Sequence, residues 1–357
     1  MHRTNGLLAD GREIVWYDID GTARVAPRDE RDLPSTYPDS QMRCDPLTGD
    51  WIAVASHRQT RTFMPSASEC PLCPSKDGWL SEVPSRDYEV VVFENRFPSF
   101  STHSQPAPTV ETPLQQTSAG LGRCEVVCFG SDHNASFADL SPERARLILD
   151  AWADRTHALS QIDTIEYVYP FENRGAEIGV TLQHPHGQIY GYPYVPHVAS
   201  RELASAEAYA AEHGRNLFGD IIESERRDGA RVIAQTEEWI AFLPFASRWP
   251  IEIHVYPLRR VRDLPELDTA QRDDFAHLYL DLLGRLDRLY SQPTPYISGW
   301  QQAPVRQHRE EAWLHLELLS VRRAEGKVKF LAGSESGQGG WVNDGQPEQL
   351  AERLRSL

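Results

Sequence analysis

The sequence has few cysteines, a shortage of basic side chains and no long apolar run. Five cysteines scattered over 357 residues do not form a disulfide framework, which leaves metal binding or free thiols as their roles. The 36 basic and 52 acidic side chains give a formal charge of −16, which repels nucleic acid and anionic membranes. No apolar run reaches the ~18 residues of a membrane span, and the N-terminus lacks a signal-peptide pattern. We therefore expect a cytoplasmic protein that binds neither nucleic acid nor membrane.

The composition indicates a folded protein of one large or two smaller domains, because 40% of the residues are hydrophobic. Short runs of β-branched and aromatic residues alternate with two amphipathic segments at 141–160 and 269–290. This pattern predicts an α+β fold, with an antiparallel sheet carrying helices on one face. The first 40 residues are polar and rich in turn residues, so we expect a docked extension outside the core.

The two helical segments belong to an internal repeat. In each copy a strand leads into the helix, and two further strands follow; matched positions lie about 127 to 129 residues apart. Two fused copies of one unit therefore explain the chain length. We expect an N-terminal extension (1–40), an N-terminal unit (41–205) and a C-terminal unit (206–357).

The strongest local motif is HPHGQ at residues 184–188. On a strand, alternate side chains share a face, so His184, His186 and Gln188 would point the same way. Two histidines and an amide on one face suggest a reactive site. The alternative is a structural pair of histidines in a polar sheet.

Cys70 and Cys73 form a second motif, CPLC. Two thiolates at this spacing can chelate a tetrahedral metal ion. The same spacing also fits a redox pair or two buried thiols, and the sequence leaves these alternatives open.

The motif HPHGQ, preceded by FENRGAEIG, resembles the signature of galactose-1-phosphate uridylyltransferases in the histidine-triad superfamily. The resemblance extends from RCDPLTGDWIAVASHRQTR through CPLC, FENRFPSF and DH to KVKFLAGSE. It implies two fused histidine-triad-like units that form an antiparallel half-barrel sheet flanked by helices. It also implies a homodimer whose active sites are completed across the interface, and uridylyl exchange between UDP-glucose and galactose 1-phosphate in galactose metabolism.

The resemblance gives roles to the residues of the motif. His186 would be the nucleophile that holds the uridylyl group between two displacements, with a backbone carbonyl of its own strand fixing the ring tautomer. Gln188 would donate its amide to the phosphoryl oxygens. Hydrolases of the superfamily have a third histidine at this position. An amide cannot protonate a leaving group, so Gln188 suits a transferase; the alternative is a polar residue of the sheet surface.

The resemblance also completes a zinc site. It adds His133 and His184 to Cys70 and Cys73, and a closed set of four ligands makes the zinc structural. The other three cysteines, Cys44, Cys124 and Cys128, are expected in the core.

A second metal site of better-known family members is altered in this sequence. The matching positions are Glu202, Gln301, His315 and Glu317. Glutamine is a poor ligand, so we expect this site to be empty or loosely occupied. His315 would instead be hydrogen-bonded within the sheet.

Substrate binding is likewise implied by the resemblance alone. The positions are Arg58, Arg61, Asn95, Asn173, Gly179, Thr181, Gln188, Lys329, Phe330 and Glu335. Other interpretations remain: exposed surface arginines for the first two, a turn residue for Asn173, and an ordinary strand end for the last three. Ser334 replaces a family aromatic residue, which leaves the preferred hexose phosphate open.

Two alternative functions remain at this point. One is a nucleotidyl-sugar or dinucleotide phosphorylase of the same superfamily, with the same histidine nucleophile and a different base and acceptor. The other is a non-catalytic zinc protein that binds nucleotides. The complete set of nucleophile, glutamine and zinc ligands argues against the second alternative.

Overall fold

The structure, a computed structural model, describes residues 1–19, 21, 24–35, 38–60, 63–107 and 112–357. The elements in this part of the chain are, in order, β1 (His2–Leu7), β2 (Glu13–Asp18), β3 (Gln41–Cys44), β4 (Trp51–Val54), β5 (Val90–Glu94), β6 (Thr117–Ala119), β7 (Arg123–Cys128), α1 (Pro142–Ser160), β8 (Tyr167–Arg174), β9 (His186–Tyr192), α2 (His197–His213), α3 (Leu217–Asp228), β10 (Val232–Gln235), β11 (Trp239–Phe242), β12 (Ile251–Pro257), α4 (Thr269–Arg288), β13 (Tyr296–Gln301), β14 (His315–Ser320), β15 (Arg322–Ala324), β16 (Lys327–Val328), α5 (Gly333–Gln338) and α6 (Pro347–Arg355).

One open sheet of eleven strands runs through the molecule. Its order is β1-β2-β5-β7-β9-β8-β13-β14-β12-β11-β10, and the neighbouring strands pair antiparallel. The pairing of β8 with β13 joins the two halves of the sheet, with Phe171 opposite Gly299. A smaller sheet, β4-β3-β6, and the β15-β16 pair lie beside it.

The helices α1 and α4 cover one face of the large sheet. Their buried side chains share one core cluster with Val127, Val168 and Ile189 of the central strands. Trp152 of α1 is at the centre of this cluster, and its ring centroid lies 6.4 Å from that of Trp300. Because strand side chains alternate, the neighbouring residues of the same strands face the other side of the sheet. That second face carries the polar motifs.

The structure repeats itself as the sequence predicts. The helices α1 and α4 occupy equivalent places, and β7, β8 and β9 of the first half correspond to β12, β13 and β14 of the second. Both helices begin at a capping side chain: Ser141 accepts a hydrogen bond from the Arg144 backbone, and Asp268 from the Gln271 backbone. The predicted fold class, α+β with two fused units on an antiparallel sheet, is confirmed. The boundaries at residues 40 and 205 stay a prediction.

The N-terminal segment differs from expectation. Its first strands, β1 and β2, extend the large sheet from β5, and Ile14, Val15, Trp16 and Tyr17 are buried. The prediction that this segment stays outside the core was therefore wrong. The polar residues of β1 hid this strand from the sequence analysis. Only its partner β2 carries a run of apolar residues, and these are buried on both faces of the strand.

Two further predictions concern the cysteines and the membrane. Cys124 and Cys128 are buried as expected, whereas Cys44 at the end of β3 is only half-buried. None of the helices in the described residues has the length and apolar character that a membrane crossing requires.

A buried carboxyl group makes the stability of this core depend on pH. Glu172 on β8 is buried, and its carboxylate accepts a hydrogen bond of 3.0 Å from the hydroxyl of Tyr296. Burial raises the pKa of Glu172 to about 7, above the ordinary value of 4.5. Between these two pH values the folded state thus holds a proton that the unfolded chain has released. Stability from this group is complete below pH ~4.5 and is lost as the pH rises through ~7.

We therefore expect Glu172→Gln to gain thermal stability relative to the wild type between pH 5 and pH 8.5. Glutamine keeps an acceptor for Tyr296 and cannot ionise. The difference in melting temperature should grow by a few degrees over this range. Thermal unfolding followed by circular dichroism at several pH values measures it. A difference in melting temperature that stays constant with pH would show that ionisation of Glu172 does not destabilise the folded state.

Candidate active site and metal centre

The HPHGQ motif lies at the start of β9, between β7 and β8. In the register of the sheet, His186 is opposite Cys128 of β7, and Gln188 is opposite Phe171 of β8. His186 and Gln188 are half-buried on the face without helices, whereas Gly187 and Ile189 are buried toward α1. The strand thus presents an imidazole and an amide side by side.

His186 is held in one tautomer by the backbone that leads into its strand. Its Nδ1 lies 2.7 Å from the carbonyl oxygen of His184, and a carbonyl can only accept, so Nδ1 carries the proton. The lone pair of Nε2 is then available for attack. Burial lowers the pKa of His186, which favours this neutral, nucleophilic form.

Gly187 allows the strands around His186 to pack closely. A Cβ at this position would lie 2.8 Å from the carbonyl oxygen of Phe171 and 2.9 Å from the ring of Phe129. Contacts this short would force β9 away from β8 or from the helix-covered core. The glycine of the motif therefore has a packing role in positioning its neighbours.

Four side chains beside the motif form a cluster that is compatible with metal binding, called the metal cluster below: Cys70, Cys73, His133 and His184. One ligand atom of each lies within 4.8 Å of the others. The Sγ of Cys73 is 3.3 Å from Nδ1 of His133 and 3.5 Å from Nδ1 of His184. Two thiols and two imidazole nitrogens form a donor set compatible with zinc.

The orientation of His184 fits a metal ligand. Its Nε2 lies 2.8 Å from the carbonyl oxygen of Gly130 and 2.8 Å from the hydroxyl of Tyr88. A proton on Nε2 satisfies the carbonyl and leaves the lone pair on Nδ1, the nitrogen that faces the cysteines. The ring is fully buried, so this arrangement is fixed by packing as well.

The protonation of Cys73 depends on whether a cation is bound. Burial and the neighbouring Cys70 raise the pKa of Cys73 to about 12, since two thiolates side by side would repel each other. A bound metal ion reverses this effect because it favours the deprotonated sulfur.

A cavity of about 240 Å³ opens next to His186. The residues that line it are Met64, Ala135, Ser136, Glu172, Asn173, Arg174, Gly175, Ala176, Val180, Leu182, Gln183, His184, Pro185 and His186. It thus brings together His184, His186 and Asn173 from the sequence predictions. Gly179 and Thr181 flank Val180 at its edge; Gly179 has a φ of +82°, a conformation that glycine adopts readily.

Two other predicted substrate-binding residues, Arg58 and Asn95, do not line this cavity. Nη1 of Arg58 donates to Ser99 Oγ at 2.6 Å and to the Tyr190 hydroxyl at 3.3 Å. Asn95 accepts a hydrogen bond from the backbone of Phe97. Arg61 lies outside the described residues.

The C-terminal residues form a group of their own. Lys329 lies 3.3 Å from the carboxylate of Glu335 and also donates to the carbonyl oxygens of Arg248 and Val342. Phe330 is 82% exposed. Of the described residues that line the cavity beside His186, none belongs to this C-terminal group.

The C-terminal unit has a second polar cluster, made of Glu202, His315 and Glu317, whose ligand atoms lie within 4.8 Å of one another. Gln301 presents its amide nitrogen to it, 3.2 Å from Glu317. His315 is hydrogen-bonded to the carbonyl oxygen of Trp313 at 2.9 Å, as the sequence predicts. Burial and the charge of Glu317 raise the pKa of Glu202.

Two residues of these sites were missed by the sequence analysis. Tyr88 contacts His184, and His254 on β12 lies 3.4 Å from the carboxylate of Glu317. Both lie in apolar strand-forming runs. The only sign of a role in the sequence is that each is a polar side chain among apolar neighbours.

Comparisons with known proteins agree along the whole chain. The family model described as galactose-1-phosphate uridyl transferase, N-terminal domain, matches residues 32–196, and its C-terminal domain matches residues 202–357. The galactose-1-phosphate uridylyltransferase of Streptomyces lividans is 46% identical, and the alignment covers 100% of this chain and 98% of that protein. The enzyme of the same name from Thermotoga maritima is 34% identical, covering 88% and 98%.

Solved structures show the same fold. A uridylyltransferase structure that is 32% identical superposes with a TM-score of 0.79, covering 88% of this chain and 97% of that one. An ADP-glucose phosphorylase from Arabidopsis thaliana, 23% identical, has a TM-score of 0.67 and covers 88% and 98%. At that identity the second likeness concerns the fold alone.

Proposed function

The chain belongs to the galactose-1-phosphate uridylyltransferase family, and on this premise we propose how its residues carry out uridylyl transfer. The protein is a nucleotidyltransferase, with galactose 1-phosphate as acceptor and UDP-glucose as donor. In the first displacement a nitrogen–phosphorus bond forms at His186 while the bond from the uridylyl phosphorus to glucose 1-phosphate breaks. In the second, an oxygen of galactose 1-phosphate displaces the histidine, which gives UDP-galactose and the free imidazole.

The hydrogen bond between His186 Nδ1 and the His184 carbonyl oxygen carries this proposal. At 2.7 Å, it assigns the proton to Nδ1 and leaves Nε2 as the attacking atom. The ring opens on a cavity that Asn173 also lines, which is space for a phosphoryl group. The nucleophile needs no further base, because its lone pair is already exposed.

Gln188 is proposed to bind the phosphoryl oxygens during both displacements. It shares the half-buried face of β9 with His186, so its amide can reach the same phosphorus. No hydrogen bond joins this amide to another side chain among the described residues. An amide donor stabilises the developing charge, and it can neither take a proton from water nor deliver one to a leaving group. This favours transfer to a sugar phosphate over hydrolysis.

The metal cluster is proposed to hold one structural zinc ion through Cys70, Cys73, His133 and His184. Zinc would supply binding energy that stabilises the folded chain. Four protein ligands leave no position for a substrate, so no chemical step is assigned to the ion. Its proposed effect on catalysis is through His184, whose carbonyl oxygen orients His186.

We also propose a homodimer whose active sites are completed by the partner. Arg58, Lys329, Phe330 and Glu335 are not among the described residues that line the cavity of their own chain. Phe330 is exposed in the single chain and is therefore accessible to a second copy. Substrate contacts from a second copy would account for both observations.

The first prediction concerns the covalent intermediate. With UDP-glucose alone, the protein should release glucose 1-phosphate up to the number of active sites and then stop. The uridylyl group should remain on His186, because Gln188, its neighbour on the same strand face, can neither protonate the nitrogen nor activate water. Mass spectrometry of peptides locates the added UMP, and His186→Asn serves as the unlabelled control. Continued release without acceptor, or UMP on another residue, would contradict the mechanism.

The second prediction concerns zinc. The purified protein should contain about one zinc ion per chain, and Cys73→Ser should lower both the zinc content and the melting temperature, because metal binding contributes to folding. Cys44→Ser is the matched control, since that thiol is half-buried outside the cluster. Elemental analysis and thermal unfolding measure both effects. Active protein that contains no zinc would end this assignment.

The third prediction concerns transfer against hydrolysis. Gln188→His adds a titratable group beside the uridylyl phosphorus, and acid or base assistance is typically worth ~10²–10⁴-fold. The same change removes an amide donor, whose loss costs on the order of 10²–10³-fold. Transfer should thus fall more than hydrolysis, and the ratio of UMP to UDP-galactose should rise.

Gln188→Asn separates the two effects, because it shortens the amide and adds no titratable group. The products are quantified from UDP-glucose with galactose 1-phosphate present. We expect the asparagine variant to lose transfer without gaining UMP. An unchanged product ratio in the histidine variant would mean that Gln188 does not determine the fate of the intermediate.

A further inference from the structure

The turn from Cys70 to Cys73 has four backbone carbonyl groups, and each of them accepts a hydrogen bond. The donors all come from residues 79–88, which follow the turn and wrap around it. The four bonds run from Trp79 Nε1 to the Cys70 oxygen (3.3 Å), from the Glu82 backbone to the Pro71 oxygen (2.9 Å), from the Tyr88 hydroxyl to the Leu72 oxygen (2.8 Å) and from Ser81 Oγ to the Cys73 oxygen (2.5 Å). The position of the thiols therefore depends on where residues 79–88 lie.

Tyr88 connects the two halves of the ligand set. Its hydroxyl donates to the Leu72 carbonyl in the cysteine turn and lies 2.8 Å from Nε2 of His184. The side chain is 2% exposed, so water does not compete for these contacts. This hydroxyl thus links the cysteine turn to His184, two residues before His186.

Residues 79–88 are in turn attached to the N-terminal hairpin, β1 and β2 with their connecting turn. Arg12 in that turn lies 2.6 Å from one carboxylate oxygen of Glu82, and Arg31 lies 2.7 Å from the other. Arg12 also donates to the backbone carbonyl of Glu94. Arg12 and Glu82 are buried, where loss of one partner leaves a charge without compensation.

Apolar contacts reinforce the same attachment. Ile14 and Trp16 of β2 belong to one buried cluster with Cys70, Leu72 and Tyr88. The indole nitrogen of Trp16 also points to Ser85 Oγ at 3.4 Å. This support comes from a segment ahead of residue 32, where the match to the family model begins.

We propose that Tyr88 and the N-terminal hairpin are positioning elements of the metal centre, and that they determine how tightly the ion is held. Tyr88 fixes the cysteine turn relative to His184, and Arg12 and Trp16 fix residues 79–88 to the sheet. The inference rests on the zinc assignment made above, and it is independent of which substrate the enzyme takes. Groups that orient metal ligands typically contribute ~10- to 100-fold to metal affinity.

The test compares Tyr88→Phe with Tyr279→Phe. Both changes remove one buried hydroxyl, and Tyr279 donates to Ser298 in the helix-covered core, away from the metal cluster. Zinc affinity is measured by competition with a chelator, and metal-free protein is melted to compare stability. Tyr88→Phe should bind zinc about tenfold or more weakly than the wild type, and Tyr279→Phe should bind it equally. The absorption of the cobalt-substituted protein should change in Tyr88→Phe alone.

Arg12→Met tests the hairpin by the same measurements, with Arg231→Met as its control. Arg231 makes a comparable buried ion pair with Glu225 in the C-terminal unit. We expect weaker zinc binding for Arg12→Met alone. Wild-type affinity in Tyr88→Phe and Arg12→Met, or equal losses in the controls, would overturn the proposal. Wild-type protein without zinc would overturn it together with the zinc assignment. Zinc bound without uridylyl transfer would refute only the proposed function.

Discussion

The hydrogen bond from His186 Nδ1 to the carbonyl oxygen of His184 decides which nitrogen of the proposed nucleophile faces the substrate. The accepting carbonyl belongs to a residue just ahead of β9, so the bond depends on the backbone that leads into this strand. That backbone is held on one side by Gly130, whose carbonyl oxygen lies 2.8 Å from the His184 ring. On the other side, Gly187 permits close contact with β8. His184 therefore contributes its ring to the metal cluster and its carbonyl group to the nucleophile. A movement of this one residue would disturb both sites.

The C-terminal unit repeats the same bond without the same site. His315 lies 2.9 Å from the carbonyl oxygen of Trp313, two residues before it, as His184 is two residues before His186. The tautomer is thus set by the strand geometry of the repeated unit, whatever the neighbouring side chains are. What differs is the first residue of the pair: a histidine that is proposed to bind zinc in one copy and a tryptophan in the other. The repeat explains why an orienting bond can persist where its proposed catalytic use does not.

Local patterns predict the parts of this structure that depend on neighbours in sequence. The alternation in HPHGQ places His186 and Gln188 on one face, and the helical periodicity places α1 and α4. The N-terminal hairpin could not be predicted this way, because β2 is buried by pairing with β5, more than seventy residues later. Tyr88 and His254 were missed for the same reason. Each contacts a residue that is distant in sequence, His184 for Tyr88 and Glu317 for His254, and the apolar sequence around it gives no sign of that contact.

The two units differ in the side chain that lies two residues after the oriented histidine. Gln188 presents a neutral amide, which can donate to a phosphoryl oxygen as charge develops. Glu317 holds the equivalent place next to His315, and His254 lies 3.4 Å from its carboxylate. A carboxylate has no N–H to donate to a phosphoryl oxygen, so it cannot replace the amide. The C-terminal unit therefore keeps an oriented imidazole without the amide donor that is proposed to act in the N-terminal unit. With a protein of charge −16, such local differences, rather than the overall field, decide where a sugar phosphate can bind.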